Sequence, residues 1–219
     1  MVQEIELSVP TSWEDINLKK YLSFIDDMKN YKDDEEALTA TMLYHLCGLE
    51  PTYLNSLSVG DYSTIRHELS GFINNTDLPL QRIIRIDGVE YGFEPNLSKM
   101  SYGAYVDITK YKDITIDENW SKIMNILYRP VVKHSGDNYS IQAYKGDTNS
   151  DKWLSVGMDK HFGCLFFFVN LSTDLLKNTL NSMMETELNP DIKSILELSG
   201  KAIQQFTNLQ KEISQNTIK

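Results

Sequence analysis

The sequence has little positive charge and no cluster of it. Lysine and arginine number 21 against 31 aspartates and glutamates, which gives a formal net charge of −10 over 219 residues. A protein that binds nucleic acid or an anionic membrane through its charge needs a surplus of cations, and a negative field opposes that approach. The composition therefore argues against nucleic-acid binding as the main task and against a role at a membrane surface.

Cysteine is also scarce, since Cys47 and Cys164 are the only two and lie far apart in the sequence. Nothing resembles the dense cysteine pattern of a secreted disulfide framework. The first six residues carry acids where a signal peptide needs a basic segment and then an apolar one. The most apolar run, residues 164–169, is far shorter than the roughly 20 residues that span a bilayer. These features predict a soluble protein kept in cytosol-like conditions.

The sequence lacks the short motifs of nucleophilic catalysis and phosphate binding, because neither a Gly-x-Ser-x-Gly elbow nor a glycine-rich phosphate loop occurs. A zinc site is the sharpest chemical alternative, since four ligands of a tetrahedral shell are present as His45, Cys47, His161 and Cys164. The His-x-Cys spacing near a helix end points its two side chains to divergent faces, and Cys164 also fits an apolar helical stripe. We therefore predict no catalytic residue, no metal and no cofactor.

What the sequence does have is enough apolar surface for a core, with 41% hydrophobic and 11% aromatic residues. Residues 5–9 alternate between apolar and polar, which predicts a short strand. Beyond them, apolar residues three and four apart predict three helices, so residues 1–80 are expected to form a helical unit with an N-terminal strand. The predicted helix starts are Asn17, the pair Asp33-Asp34, and Ser58, and the one glycine stop is Gly48.

The period of the apolar residues changes in the section 81–150. Asp87-Gly88 stands between two alternating segments, which is the strongest short signal for a β-hairpin. A second hairpin is predicted around residues 135–138, and helices are predicted after Ser101 and from Trp120 to a stop at Pro130. This section is therefore expected to be a hairpin–helix–hairpin part of the same or an adjoining domain.

The section 151–219 is predicted to be helical, with one long helix over residues 158–187 and a last helix over 195–213. The predicted fold class is α+β and mainly helical: an N-terminal helical unit, two β-hairpins in the middle and long C-terminal helices. Consecutive rings on the long helix spread over about 200° and cannot all face one neighbour. They indicate either a buried core helix or an interface with another subunit. The rings concerned are Phe162, Phe166, Phe167 and Phe168.

Six segments occur in a distinctive order along residues 10–170. Together they resemble a family of small proteins encoded among the head and tail genes of tailed phages, especially crAss-like phages of gut Bacteroidetes. Residues 38–73 are also similar to tail assembly chaperones. The resemblance supplies no catalytic or ligand residue. The segments are residues 10–14, 46–49, 57–62, 86–97, 126–130 and 163–168.

This resemblance implies a non-enzymatic virion protein. The most specific role that it implies is that of a cargo protein, which is carried in the tail or capsid lumen and ejected with the genome. The implied partners are other virion proteins, such as tail, portal or ring subunits, and copies of itself. The alternatives are a tail assembly chaperone, present in the host cytoplasm during assembly, and a structural ring or connector subunit. An enzyme is the alternative of a different class, and replacing His45 or His161 would then abolish its activity.

Overall fold

A computed structural model of the chain shows an α+β fold that is mainly helical, as predicted. The chain divides into two compact units. The described residues within 6–77 and 157–159 belong to the first unit, and those within 78–156 and 160–182 belong to the second. The predicted sections 1–80, 81–150 and 151–219 stay a prediction. The structure describes residues 6–31, 34–75, 77–111, 114–136, 138–146 and 149–182.

The first unit is built from three helices, α1 (Leu18–Met28), α2 (Glu35–Cys47) and α3 (Val59–Ile73). Short 3-10 turns, Trp13–Asp15 and Pro51–Ser56, precede α1 and α3. Each helix is preceded by a residue whose side chain accepts a hydrogen bond from a backbone N–H of the first helical turn. These capping residues are the ones predicted from the sequence.

The helix caps of the first unit have ordinary hydrogen-bond geometry. The side chains of Asn17, Asp34 and Ser58 each accept a hydrogen bond from the backbone N–H three residues later, at 2.9–3.0 Å. Gly48 ends α2 with a backbone φ of 74°, a conformation that glycine adopts without the strain of a side chain. These observations confirm the three predicted starts and the predicted stop.

The strand predicted over residues 5–9 is wrong at the positions that the structure describes. Residues 6–10 have irregular backbone. A strand needs a hydrogen-bonded neighbour, and the strands of the described sheet all lie between Ile83 and Ile141 in other ladders. Alternating apolar residues alone therefore do not make this segment a strand.

The core of the first unit forms around Trp13, which is 4% exposed. Its ring packs edge-on against Tyr21 and Phe72, with centroid distances of 6.4 and 5.3 Å. Residues 157–159 join this unit, because the Met158 N–H donates a hydrogen bond to the Ile16 carbonyl at 2.8 Å. Aliphatic and aromatic side chains from all three helices fill the rest, among them Leu18, Phe24, Leu43, Leu46, Ile65 and Leu69.

The second unit contains a four-stranded antiparallel sheet in the order β1-β2-β3-β4. Both predicted hairpins are present, β1–β2 and β3–β4. Asp87 and Gly88 have φ of 49° and 78°, so both positions of the first turn have the positive φ that the sequence signal requires. The strands are β1 (Ile83–Ile86), β2 (Val89–Phe93), β3 (Tyr128–Ser135) and β4 (Asn138–Ile141).

Helices α4 (Tyr102–Thr109) and α5 (Trp120–Leu127) lie between the hairpins in sequence. The α5 helix ends at Leu127 and passes directly into β3, so the helix stop predicted at Pro130 is three residues too late. Pro130 itself pairs with Tyr91 inside the ladder. Helix α6 (Met158–Ser182) confirms the predicted long helix up to residue 182. Its predicted continuation to residue 187 and the helix predicted over 195–213 lie outside the described residues. Within the described ranges, no helix is long and apolar enough to cross a bilayer.

Candidate functional site

The second unit has a cleft of about 230 Å³ beside its sheet. Its walls come from β2, from the junction of α5 and β3, from the chain after β4 and from the turn near Lys152. Cationic, amide and aromatic side chains dominate the lining. The lining residues are Tyr91, Asn125, Tyr128, Arg129, Pro130, Gln142, Ala143, Tyr144, Lys145, Gly146, Asn149 and Lys152.

A buried ion pair forms one side of the cleft. The guanidinium Nη2 of Arg129 donates to the carboxylate of Glu94, and the two side chains are only 10% and 9% exposed. The backbone N–H of Glu94 also donates to the Leu127 carbonyl at 2.8 Å, which fixes the chain where β2 ends. Glu94 therefore balances the charge of Arg129.

A chain of hydrogen bonds leads from the cleft into the core. The ammonium of Lys152 donates to Asn125 Oδ1, and the Trp153 indole N–H donates to the same oxygen at 3.3 Å. The Trp153 ring packs against Tyr91 and Tyr128, with centroids 5.6 and 5.3 Å away. The Asn125 amide in the lining of the cleft is thus held by the fully buried Trp153 indole.

His161 continues this chain below the cleft. The Trp120 indole N–H donates to Nδ1 of His161 at 3.1 Å, so the ring proton sits on Nε2, which lies 3.2 Å from the Trp153 carbonyl oxygen. The side chain is completely buried, and that burial lowers the pKa of His161 to about 3. With both nitrogens engaged and no exposure, His161 is a neutral structural residue at physiological pH.

The four zinc-ligand candidates separate by unit, with His45 and Cys47 in the first and His161 and Cys164 in the second. His45 Nε2 is 2.6 Å from Asp27 Oδ2. Burial raises the pKa of the Cys47 thiol to about 11, against a smaller opposite effect of nearby Lys20, and burial also raises the pKa of Cys164. Over the described part of the chain, no three His, Cys, Asp or Glu side chains gather as a metal site would require.

The aromatic rings of α6 pack against other aromatic rings of the second unit. Phe162 is 1% exposed and stacks on Phe166 at 5.9 Å. Phe167 and Phe168 are half-buried, with centroids 5.3 and 6.3 Å from that of Phe93. Phe162 is thus a core residue with almost no surface to offer a partner. An interface formed by Phe166, Phe167 and Phe168 stays a prediction.

Two of the segments behind the sequence resemblance meet at the cleft. Tyr91 and Glu94 come from the segment 86–97, while Tyr128, Arg129 and Pro130 come from 126–130. Sequence reasoning treated both segments as scaffold and missed the site they build. The available signal was Arg129, the only charged residue of the apolar run 126–130, because a charge that is buried with such a run needs a partner.

Lys145, Lys152 and Asn149 were missed for a different reason. They lie between the second predicted hairpin and the long helix predicted from residue 158, in a stretch without the apolar periodicity that would show which side chains converge. The described lining has cations, amides and phenol hydroxyls and includes no histidine, cysteine or carboxylate. Such a set is suited to holding an anion.

Compared with protein-family models, with curated proteins and with solved structures, the chain has no match in any of the three.

Proposed function

We propose that this protein is a non-enzymatic component of tailed-phage particles, and specifically a cargo protein carried in the tail or capsid lumen and ejected with the genome. The observation that carries the proposal is the convergence of three of the six resembling segments. Arg129 of the segment 126–130 pairs with Glu94 of 86–97, and Phe167 of 163–168 packs on Phe93. Segments that are far apart in sequence but pack together belong to one structural core. Their packing supports the resemblance on which the proposal rests.

A cargo protein has to unfold to pass through a narrow tail, and the covalent chemistry of this chain permits it. Cys47 and Cys164 are both free. A disulfide would restrict the unfolded chain and oppose translocation. The net charge of −10 also disfavours adhesion to the DNA that shares the lumen.

The topology of the sheet favours rapid refolding after ejection. Strands follow one another in space in their sequence order, and both outer pairs are hairpins. Short-range pairing of this kind closes small loops and folds faster than pairing between distant strands. The β2–β3 pair is the longer-range exception, because α4 and α5 lie between its strands.

A mass-spectrometric inventory of the phage that encodes the chain tests the proposal. We expect its peptides in purified, DNA-filled particles and their loss from particles that have been triggered to eject. Retention in emptied particles at fixed stoichiometry would instead identify a ring or connector subunit. Absence from purified particles would end the cargo proposal.

A tail assembly chaperone is the second candidate, because residues 38–73 resemble that class. In this stretch α2, the stop at Gly48, the turn Pro51–Ser56 and α3 follow in the expected order. A chaperone leaves before maturation. It would be recovered from infected-cell lysate in complex with a tail component and would be missing from finished particles, which separates it from cargo in the same inventory.

A further inference from the structure

The outer edge of β1 offers main-chain groups that no described strand uses. β1 is a terminal strand of the sheet, and β2 is its neighbour. In an antiparallel pair, alternate residues direct their N–H and C=O groups towards the neighbouring strand. Ile86 flanks the two-residue turn and therefore bonds to β2, as Ile84 does. Ile83 and Arg85 direct their main-chain groups outward, and within the described part of the chain nothing bonds to these groups.

Residues 6–9 are a second stretch with unused main-chain groups. Their backbone is irregular, and among the described residues it has no hydrogen-bond partner. The exposure of their side chains nevertheless alternates, since Glu6 and Ser8 are exposed while Leu7 and Val9 are half-buried. Such alternation is typical of a strand with one apolar face. The segment 6–9 therefore has the side-chain pattern of a strand without a partner strand in the described part of its own chain.

The apolar residues of the β1 edge and of the segment 6–9 match. In β1, the side chains of Ile84 and Ile86 are buried, and they lie on one face of the sheet. A strand that is added beside β1 with Leu7 and Val9 on that face extends the same apolar layer. A shift of the pairing by one residue would place polar side chains there instead. The apolar residues therefore fix which face of the segment points inward.

The charged residues on the opposite face of β1 match as well. Arg85 lies 2.5 Å from the carboxylate of Glu90 on β2, and Glu90 also lies 2.8 Å from the ring of His134 on β3. The Arg85 side chain is 70% exposed, and a guanidinium has five N–H donors, which is more than one carboxylate uses. With Leu7 facing inward, Glu6 falls on the face of Arg85. The added strand thus continues the alternation of acid and base from strand to strand, which stabilises a sheet.

We propose that residues 6–9 of one copy of this chain add as a strand to the outer edge of β1 in a second copy. The added strand forms hydrogen bonds with the main chain of Ile83 and Arg85, and its Glu6 pairs with Arg85. A short edge strand with an exposed cation disfavours most added strands, so an acid at the matching position selects this segment. Every copy carries both the segment and the edge. This association is independent of the virion role, so either proposal can fail while the other stands.

Sedimentation equilibrium of the full chain over a range of concentrations tests the association directly. We expect reversible association with a Kd of about 0.1 mM, which is the strength of a weak contact. A chain that stays monomeric at every concentration up to about 1 mM overturns the proposal.

Two charge reversals locate the contact. Glu6→Arg and Arg85→Glu each place like charges opposite one another and are expected to weaken the association by roughly ten-fold. Glu68→Arg makes the same change of charge at an exposed position of α3 and should leave the Kd within about two-fold of the wild type. Glu6 lies outside the described helices and strands, so Glu6→Arg decides the matter even if Arg85→Glu fails to fold. Unchanged association of Glu6→Arg, or an equal loss in Glu68→Arg, refutes the contact.

A mixture of the two reversed variants distinguishes exchange between copies from other modes of association. In the mixture, Arg at position 6 of one variant meets Glu at position 85 of the other, and the remaining pair is that of the wild type. We therefore expect the mixture to associate about as strongly as the wild type, and more strongly than either variant alone. No gain on mixing refutes the exchange. A loss that is confined to Arg85→Glu refutes it in favour of direct pairing between the β1 edges of two copies.

Discussion

The two units of this protein bury polar groups to very different extents. Among the described residues of the first unit, Thr41 is the buried polar residue, and the rest of the core is hydrophobic. Within the described part of the second unit the buried polar and charged residues are six: Glu94, Ser121, Asn125, Arg129, His161 and Ser172. The first unit is therefore held mainly by non-directional packing, while the second also depends on specific pairs.

The two units also differ in the sequence separation between the partners of their polar contacts. The caps of the first unit join residues three apart in the chain. In the second unit Arg129 and its partner Glu94 are 35 residues apart in sequence, and Trp120 and its partner His161 are 41 residues apart. A buried polar group without its partner destabilises the fold far more than a missing exposed contact does. Single replacements in the second unit should therefore have the larger effects.

The largest effect is expected from breaking the buried ion pair. Arg129→Met leaves the Glu94 carboxylate buried without its guanidinium and should lower the free energy of unfolding by about 3–5 kcal/mol. The Nε of Arg129 has no hydrogen-bond partner among the described residues, so the pair is incompletely satisfied even in the native protein. The double variant Arg129→Met/Glu94→Leu should therefore recover most of the loss. Urea denaturation followed by tryptophan fluorescence measures both.

An exposed ion pair of the first unit is the matched control for that experiment. Lys29 and Asp26 lie 3.2 Å apart with side chains 63% and 78% exposed. Lys29→Met should change the free energy of unfolding by less than about 1 kcal/mol. Similar losses for Lys29→Met and Arg129→Met would contradict the contrast between the units.

The pH dependence of stability should carry the signature of His161. The unfolded chain takes up a proton below pH 6.5, the ordinary pKa of histidine, while the folded ring stays neutral down to about pH 3. Acid therefore favours the unfolded state in this window, and lowering the pH from 7 to 5 should remove roughly 2 kcal/mol of stability through this residue alone. Urea midpoints at both pH values measure the effect.

His161→Gln is the variant that isolates this contribution. It should be less stable at pH 7, because Trp120 and Trp153 lose their partner, but it should lose less stability than the wild type between pH 7 and 5. The exposed His67→Gln of α3 controls for replacing a histidine at an accessible helical position. If His161→Gln retains the full wild-type slope, the buried neutral ring is not its source.

Two helical glycines should respond in opposite directions to the same replacement. A Cβ at Gly71 of α3 meets nothing within 4 Å, so Gly71→Ala should raise the free energy of unfolding by about 0.5–1 kcal/mol. A Cβ at Gly163 of α6 would lie 2.5 Å from the Pro79 carbonyl oxygen, so Gly163→Ala should lower it by about 1 kcal/mol or more. Thermal and urea unfolding of both variants give the signs, and stabilisation by Gly163→Ala would show that the backbone at Pro79 yields.

The smallest effects are expected at the helix caps. Asn17→Ala removes the 2.9 Å hydrogen bond to the Lys20 N–H and should cost about 1 kcal/mol. Ser101→Ala in the second unit removes a longer bond of 3.3 Å to the Ala104 N–H and should cost less. Urea midpoints rank the pair. The reverse order would mean that cap strength here is set by the surroundings and not by bond length.

Local signals in the sequence determined the helix starts, the stop at Gly48 and the two hairpins. Capping and turn residues act on the backbone within a few positions, so their effect does not depend on the rest of the fold. The strand predicted over residues 5–9 failed because a strand requires a distant partner that its own residues do not specify.

The sequence by itself therefore determined an acidic, mainly helical α+β chain with two hairpins, because composition and short-range periodicity fix those properties. Only the tertiary structure decided that Glu94 meets Arg129, that His161 is enclosed between two tryptophans, and that Lys145 and Lys152 share a cleft. Each of these contacts joins side chains from separate elements. Such a contact exists only after the elements pack, and no spacing along the chain encodes it.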